Sequence, residues 1–207
     1  SLYLTIEWGL LTIAATDSFR LAEKKVSLTN KGIQEKILIP AKNTTEIAQV
    51  LPDENITISF NEHQCAFISS QGTIVSRLTS ASYPDYHQII PKESIVEAIM
   101  LKKDFEIALK HTTIFSDSFQ KISLHFDPKK NKCFLSAKNN DIGESSESLN
   151  AKISGSALTI SFNHRFLSTI FSLTTSESIS LTAAGIGRPL IIKGVGDNSL
   201  IYLISPM

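Results

Sequence analysis

The sequence predicts an α+β fold in which strand and helix units recur, and three observations support this. First, the chain repeats itself. Ile47, Val50 and Leu51 match Leu167, Ile170 and Phe171 at an offset of 120, and Ile56 and Ile58 match Ile179 and Leu181 at 123; the three-residue slip falls in the turn after a helix, where insertions are tolerated. Second, runs such as Ile56-Thr57-Ile58-Ser59-Phe60 and Leu158-Thr159-Ile160-Ser161-Phe162 alternate apolar and polar residues at the strand period of two. Third, Lys102 to Phe115 carries the longest helical pattern and opens a similar unit between the two copies. Three such units imply one complete two-unit domain and one half, with a boundary between residues 1–83 and 84–207.

The chain enters an alternating pattern at once, Leu2-Tyr3-Leu4-Thr5-Ile6-Glu7, and so looks cut from something longer. Trp8-Gly9 predicts a turn into the strand Leu11 to Ala15. Small polar residues in Thr16-Asp17-Ser18-Phe19-Arg20-Leu21-Ala22 then break that strand and begin another. Asn30-Lys31-Gly32 has turn chemistry, and Pro40 ends the strand of Lys36 to Ile39. A short helix, capped by Thr44 or Thr45, is expected over Glu46 to Leu51 with Ile47, Val50 and Leu51 on its buried stripe. Hairpins follow at Asn61 to Gln64 and Ser69 to Gly72. Ser82 to Pro91, bracketed by two prolines, reads as a hinge that belongs neither to a helix nor to a central strand, with a functional cleft beside it. Beyond it, the long helix turns Phe105, Leu109 or Ala108, Thr112 and Phe115 inward and pairs Glu106 with Lys110 outside. Lys121 to Phe126 and Lys132 to Lys138 form a hairpin, and Asn139 to Glu147 reads as a polar loop. A helix around Phe166 to Phe171 and three strands, with turns at Gly185-Ile186-Gly187 and Gly194 to Asn198, complete the pattern.

Composition narrows the function. Hydrophobic residues at 42% and charged residues at 19% describe a globular chain, and no apolar run reaches the roughly 20 residues of a membrane helix. No leader-like segment is visible at the start. Cys65 and Cys133 lie far apart inside strand patterns and read as two buried thiols. Twenty basic residues balance 20 acidic ones, which argues against a general polyanion binder but leaves room for a few lysines aimed at phosphates. Catalytic constellations are scarce: there is no phosphate-cradling glycine loop, no paired-cysteine motif and no HExxH, so neither a metal nor a cofactor is expected. His63, His87, His111, His125 and His164 have no ligand-like spacing. Asp17 beside Ser18 and Arg20 is open to two readings, a polar active site or a turn in which Asp17 accepts backbone N–H bonds.

Three separated motifs, Ala15-Thr16-Asp17-Ser18-Phe19-Arg20-Leu21-Ala22, Tyr83-Pro84-Asp85-Tyr86 with Ile89-Ile90-Pro91, and Ile201-Tyr202-Leu203-Ile204-Ser205-Pro206-Met207, resemble in order and spacing the bacterial sliding-clamp family, the beta subunit of DNA polymerase III. Phe119 and Ile160-Ser161-Phe162-Asn163 also fall where that family places comparable residues. The resemblance implies the DNA clamp fold, with antiparallel sheets outside and helices lining the DNA-facing side. It identifies residues 1–83 with the second half of a middle domain and 84–207 with a complete third domain, the first domain being absent. It implies a cytoplasmic, nucleoid-associated processivity factor without chemistry of its own, which closes around duplex DNA as a head-to-tail homodimer. Its partners would be the polymerase catalytic subunit, the clamp loader and other proteins carrying clamp-binding peptides.

Carried over by motif, the peptide groove would comprise Thr16, Ser18, Phe19, Arg20 and Leu21, then Pro84, Gln88 and Ile89, then Phe119, Asn163, Phe166, Pro189, Leu203, Ser205, Pro206 and Met207. Gln88 stands where relatives often carry a basic residue. Lys42, Lys102, Lys103, Lys110 and Arg165 lie on or beside the helices that would face DNA, although each could equally be a solvated surface charge. Ile114 and Phe115 sit where the family packs against its partner chain, and this piece alone is expected to be monomeric. Two other readings remain open: a clamp-like module that binds peptides but not DNA, and a small hydrolase centred on Asp17, Ser18 and His87.

Overall fold

The computed structural model describes residues 1–29 and 32–207. Asn30 and Lys31, two residues of an expected turn, lie outside the described residues. The chain forms two compact units, one of residues 1–16 and 23–85, the other of residues 17–22 and 86–207.

In the first unit, β1 (Leu2–Glu7) pairs antiparallel with β2 (Leu10–Thr16). Between them Trp8 and Gly9 both take positive φ, 54° and 81°, the conformation of a tight two-residue hairpin turn. The Trp8 side chain is left 77% exposed at the tip. β3 spans Arg20–Ser27, and its residues from Glu23 on belong to this unit. β4 (Glu35–Ile39) joins the far side of β1 in register Leu4↔Ile37. α1 (Ala41–Val50) follows, then the meander β5 (Thr57–Phe60), β6 (Gln64–Ser69) and β7 (Gly72–Arg77). The core of the unit gathers Leu4, Ile6, Leu11, Ile37, Ile39, Ile47, Cys65 and Phe67.

α1 corrects the expectation in three respects. It starts at Ala41 because Pro40, with φ −55°, stands at the cap, where its missing N–H costs nothing. Thr44 and Thr45 do not cap it: their hydroxyls bond back to the Pro40 and Ala41 carbonyls from inside the first turns. Of its apolar residues Ile47 is buried and Leu51 packs on the core, but Val50 points to solvent.

The second unit opens with a single 3-10 turn at Tyr86–Ile89, so the hinge stretch does contain helical backbone, anchored by the buried Tyr86 ring. β8 (Val96–Leu101), α2 (Lys102–Thr113), β9 (Lys121–Asp127), β10 (Lys132–Asn139) and β11 (Gly143–Asn150) form one strand–helix–strands unit. After β12 (Lys152–Gly155), the second copy comprises β13 (Leu158–Asn163), α3 (His164–Ser168), α4 (Ile170–Leu173), β14 (Ser178–Ala183), β15 (Leu190–Gly194) and β16 (Leu200–Ile204). One sheet runs β11-β10-β9-β13, and β12-β8-β14-β15-β16 are neighbours in another. The helices pack on both, and Phe105 of α2 meets Phe171 of α4 with ring centroids 5.8 Å apart.

α2 forms as its stripe predicts. Phe105, Ala108, Leu109 and Thr112 are buried, the Thr112 hydroxyl is satisfied by the Ala108 carbonyl at 2.8 Å, and Glu106 and Lys110 pair at 2.7 Å. The polar segment expected as a loop from Asn139 to Glu147 is instead largely strand. β11 pairs with β10 without a break from Lys132↔Asn150 to Asn139↔Gly143. Its serines and glutamates are weak strand formers, but at a sheet edge one face and one flank stay in water, and pairing with a well-packed neighbour overrides local preference.

Candidate functional site

Asp17 to Arg20 forms a tight loop in the second unit, and the Asp17 carboxylate organises it. One oxygen accepts the backbone N–H of Phe19 at 3.1 Å and of Arg20 at 3.0 Å; the other accepts Arg20 Nε at 2.8 Å. Ser18 takes a φ of 74° at the apex, a conformation that non-glycine residues adopt only when their surroundings hold them. Of the two readings of Asp17, the turn that accepts backbone N–H bonds is the one formed. Partial burial works to raise its pKa, but the bonds from Arg20 and the loop amides outweigh this and hold it below the ordinary carboxylate value.

Arg20 is held on further sides. Its Nη1 donates to Thr169 Oγ1 at 3.0 Å, its guanidinium carbon lies 4.8 Å from the centre of the Phe166 ring, and Tyr202 contributes a side-chain hydrogen bond. Tyr202 in turn donates its hydroxyl to the Phe166 carbonyl at 2.9 Å, and burial raises its pKa. Phe19, 60% exposed, stacks on Phe166 with centroids 6.2 Å apart. Two backbone bonds fasten the arm after β16: Ser205 N–H to the Phe19 carbonyl at 2.8 Å and Met207 N–H to the Ser161 carbonyl at 2.9 Å.

The structure therefore brings Phe19, Arg20, Phe166 and Ser205 together, with Pro206 and Met207 continuing on the fastened arm. Ser18 is the loop apex. Asn163 caps α3 through Arg165 N–H at 2.9 Å and lies near the carbonyl of Phe119, whose ring is 71% exposed. Gln88, Ile89 and Pro189 line a separate open depression of about 560 Å³ with Pro91, Ile95 and Arg188. Leu21 and Leu203, expected as groove walls, are 0% and 1% exposed and support the surface from beneath. Thr16 and Pro84 belong to the first unit. Sequence reasoning passed over Thr169, although its place three residues after Phe166 on one helical face was a usable signal.

The expected DNA-facing side chains differ in their engagements. Lys102 Nζ donates to the Thr174 carbonyl at 2.8 Å, which ties it to the residue after α4, and Lys110 is paired with Glu106. Lys103, Arg165 and, in the first unit, Lys42 are exposed. Ile114 is 64% exposed, while Phe115 packs against the core. Among the histidines, His111 lies 3.3 Å from Glu147, His125 lies 2.7 Å from Thr159, and the His87 ring stacks on Tyr86.

Comparison with known proteins adds to this geometry. A family model described as the central domain of the DNA polymerase III beta subunit matches residues 1–85, and one described as the C-terminal domain of that subunit matches residues 87–207. The Beta sliding clamp of Bacillus subtilis (strain 168) is 28% identical over 207 residues, covering 98% of this chain and 55% of the relative. That of Staphylococcus aureus (strain Mu50 / ATCC 700699) is 26% identical over 205 residues, covering 98% and 54%. The chain thus spans about half the length of the curated relatives it matches. Among solved structures, the DNA polymerase sliding clamp from Bacillus subtilis superposes with a TM-score of 0.94 at 27% identity, covering all of this chain and 56% of that one. The beta subunit from Thermotoga maritima, at 21% identity and a TM-score of 0.92 over 100% of this chain and 56% of that one, shares the fold. No helix among the described residues is long and apolar enough to cross a membrane.

Proposed function

Because the chain belongs to the DNA polymerase III beta-subunit family, the sliding clamps of DNA replication, we propose that it is part of a processivity factor that encircles duplex DNA as a head-to-tail dimer and performs no catalysis. In this reading residues 1–83 belong to the middle clamp domain, 84–207 form the C-terminal one, and the whole protein works in the cytoplasm at the nucleoid. The polymerase catalytic subunit, the clamp loader and other proteins would dock through short peptides on the surface around Phe19. The observation that carries the peptide-binding part is the cluster itself. The exposed Phe19 ring stacks on Phe166, over which the Arg20 guanidinium lies, a composition suited to burying an apolar anchor while orienting a peptide backbone. Asn163 and Met207 would extend this surface, Leu21 and Leu203 would support it from beneath, and Gln88, Ile89 and Pro189 would contribute through their own depression.

Contact with DNA would be a matter of charge without base reading, through Lys42, Lys103 and Arg165 and, where their present bonds exchange, Lys102 and Lys110. Ring closure would use Ile114 and Phe115 beside the open edge of β11. Engagement of the Asp17 carboxylate by the loop and Arg20 argues against the hydrolase alternative, which needs it to orient a base. The test is titration of a fluorescent peptide carrying Gln and Leu-Phe anchors. Saturable binding, lost in Phe19→Ala and in a chain ending at Ser205, is the expected result; no binding to folded protein would overturn the peptide-binding reading.

A further inference from the structure

We propose that Asp17, which lies outside the surface just assigned, is its positioning residue: it fixes Arg20 in the one orientation in which the guanidinium can meet an incoming peptide. The proposal rests on the peptide-binding reading above. An arginine at a surface samples many rotamers, and ordering it on binding costs affinity. Here that ordering is done in advance. The guanidinium edge is fixed by Asp17 at 2.8 Å and by Thr169 at 3.0 Å, and its face rests on Phe166, yet the side chain stays 37% exposed and so accessible to a ligand. Asp17 is the only one of these partners that also shapes the loop, because its second oxygen accepts the Phe19 and Arg20 amides. A single carboxylate therefore sets both the aromatic wall and the cation, and Phe19 and Arg20 approach a ligand as one preformed element.

The geometry separates these two tasks. Asp17→Asn keeps a carbonyl oxygen for the loop amides but offers Arg20 Nε an amide in place of a carboxylate, so the loop persists while the arginine is released. The experiment is a double-mutant cycle on the affinity of the anchor peptide, run with the 207-residue chain as wild type, Asp17→Asn, Arg20→Ala and the double variant. We expect Asp17→Asn to weaken binding about tenfold, and to weaken it by less than about twofold once Arg20 is already alanine. In parallel, the Arg20 Nε–H resonance, slowly exchanging in the free wild-type chain, should be lost in Asp17→Asn with the backbone amide spectrum otherwise preserved. That signature does not depend on the peptide, and a merely structural role for Asp17 would not produce it selectively. If wild type binds and Asp17→Asn binds equally well, or its cost is undiminished in the Arg20→Ala background, the positioning role is overturned while the peptide-binding surface stands. If wild type binds no peptide, the surface reading falls and this role falls with it.

Discussion

Cys133 sits at 0% exposure in the centre of the second unit, and burial pushes its thiol from 9.0 up to about 12. The folded state therefore keeps a proton that the unfolded chain gives up first. Its contribution is fully present below pH 9 and lost as pH rises toward 12, at up to about 1.4 kcal/mol per pH unit. Denaturant unfolding at pH 8, 9.5 and 11 should show a steeper alkaline loss of stability in wild type than in Cys133→Ala; parallel pH profiles would mean the thiol does not titrate in this way. The contrast with Asp17 shows what a sequence can reveal about single residues. Alternation around Cys133 already predicted a buried thiol. The motif that contains Asp17 was legible too, and so were Phe19, Arg20, Phe166 and Ser205 as partners. Which of two roles Asp17 plays was not, because an aspartate that holds a turn and one that serves a base look the same until the partners of both oxygens are known.

At the scale of elements, periodicity was readable where burial enforces it and unreadable where pairing does. α2 and the repeated strands announce themselves because one face of each must be apolar. β11 did not, since an edge strand with a solvated face carries Ser and Glu freely and owes its existence to β10. α1 began earlier than its apolar residues suggested, because proline at its start fixes the boundary without contributing to a stripe. Gly155, at the end of β12, is a sharper case of backbone demand. Its φ is +98°, and a Cβ there would overlap the Ile95 carbonyl, which already accepts a 2.8 Å bond from Ser156 N–H. Because that obstacle is backbone, it cannot rotate aside. Gly155→Ala should lower stability by about 2 kcal/mol or more, read as a reduced midpoint in urea. A midpoint equal to wild type would show that the strand end relaxes at little cost.

For the molecule as a whole, the internal duplication visible in the sequence relates α1 and β5 of the first unit to α3, α4 and β14 of the second, and the second unit holds two copies of the strand–helix–strands unit around one core. The first unit presents a third, preceded by β1 to β3. Oligomeric state is a property of this scale. Within the chain no strand pairs with the outer side of β11 among the described residues, and Ile114 is left exposed. We expect the 207-residue chain to scatter light as a monomer of about its 22.8 kDa mass; a stable ring-sized species would sink that expectation. How such measurements are made depends on the hairpin tip at Trp8, the one tryptophan in the sequence. An indole already 77% exposed in the native state has almost no further water to meet on denaturation. Its emission should change little as the chain unfolds, so tryptophan fluorescence would stay flat while the backbone melts, and circular dichroism would be the signal to follow.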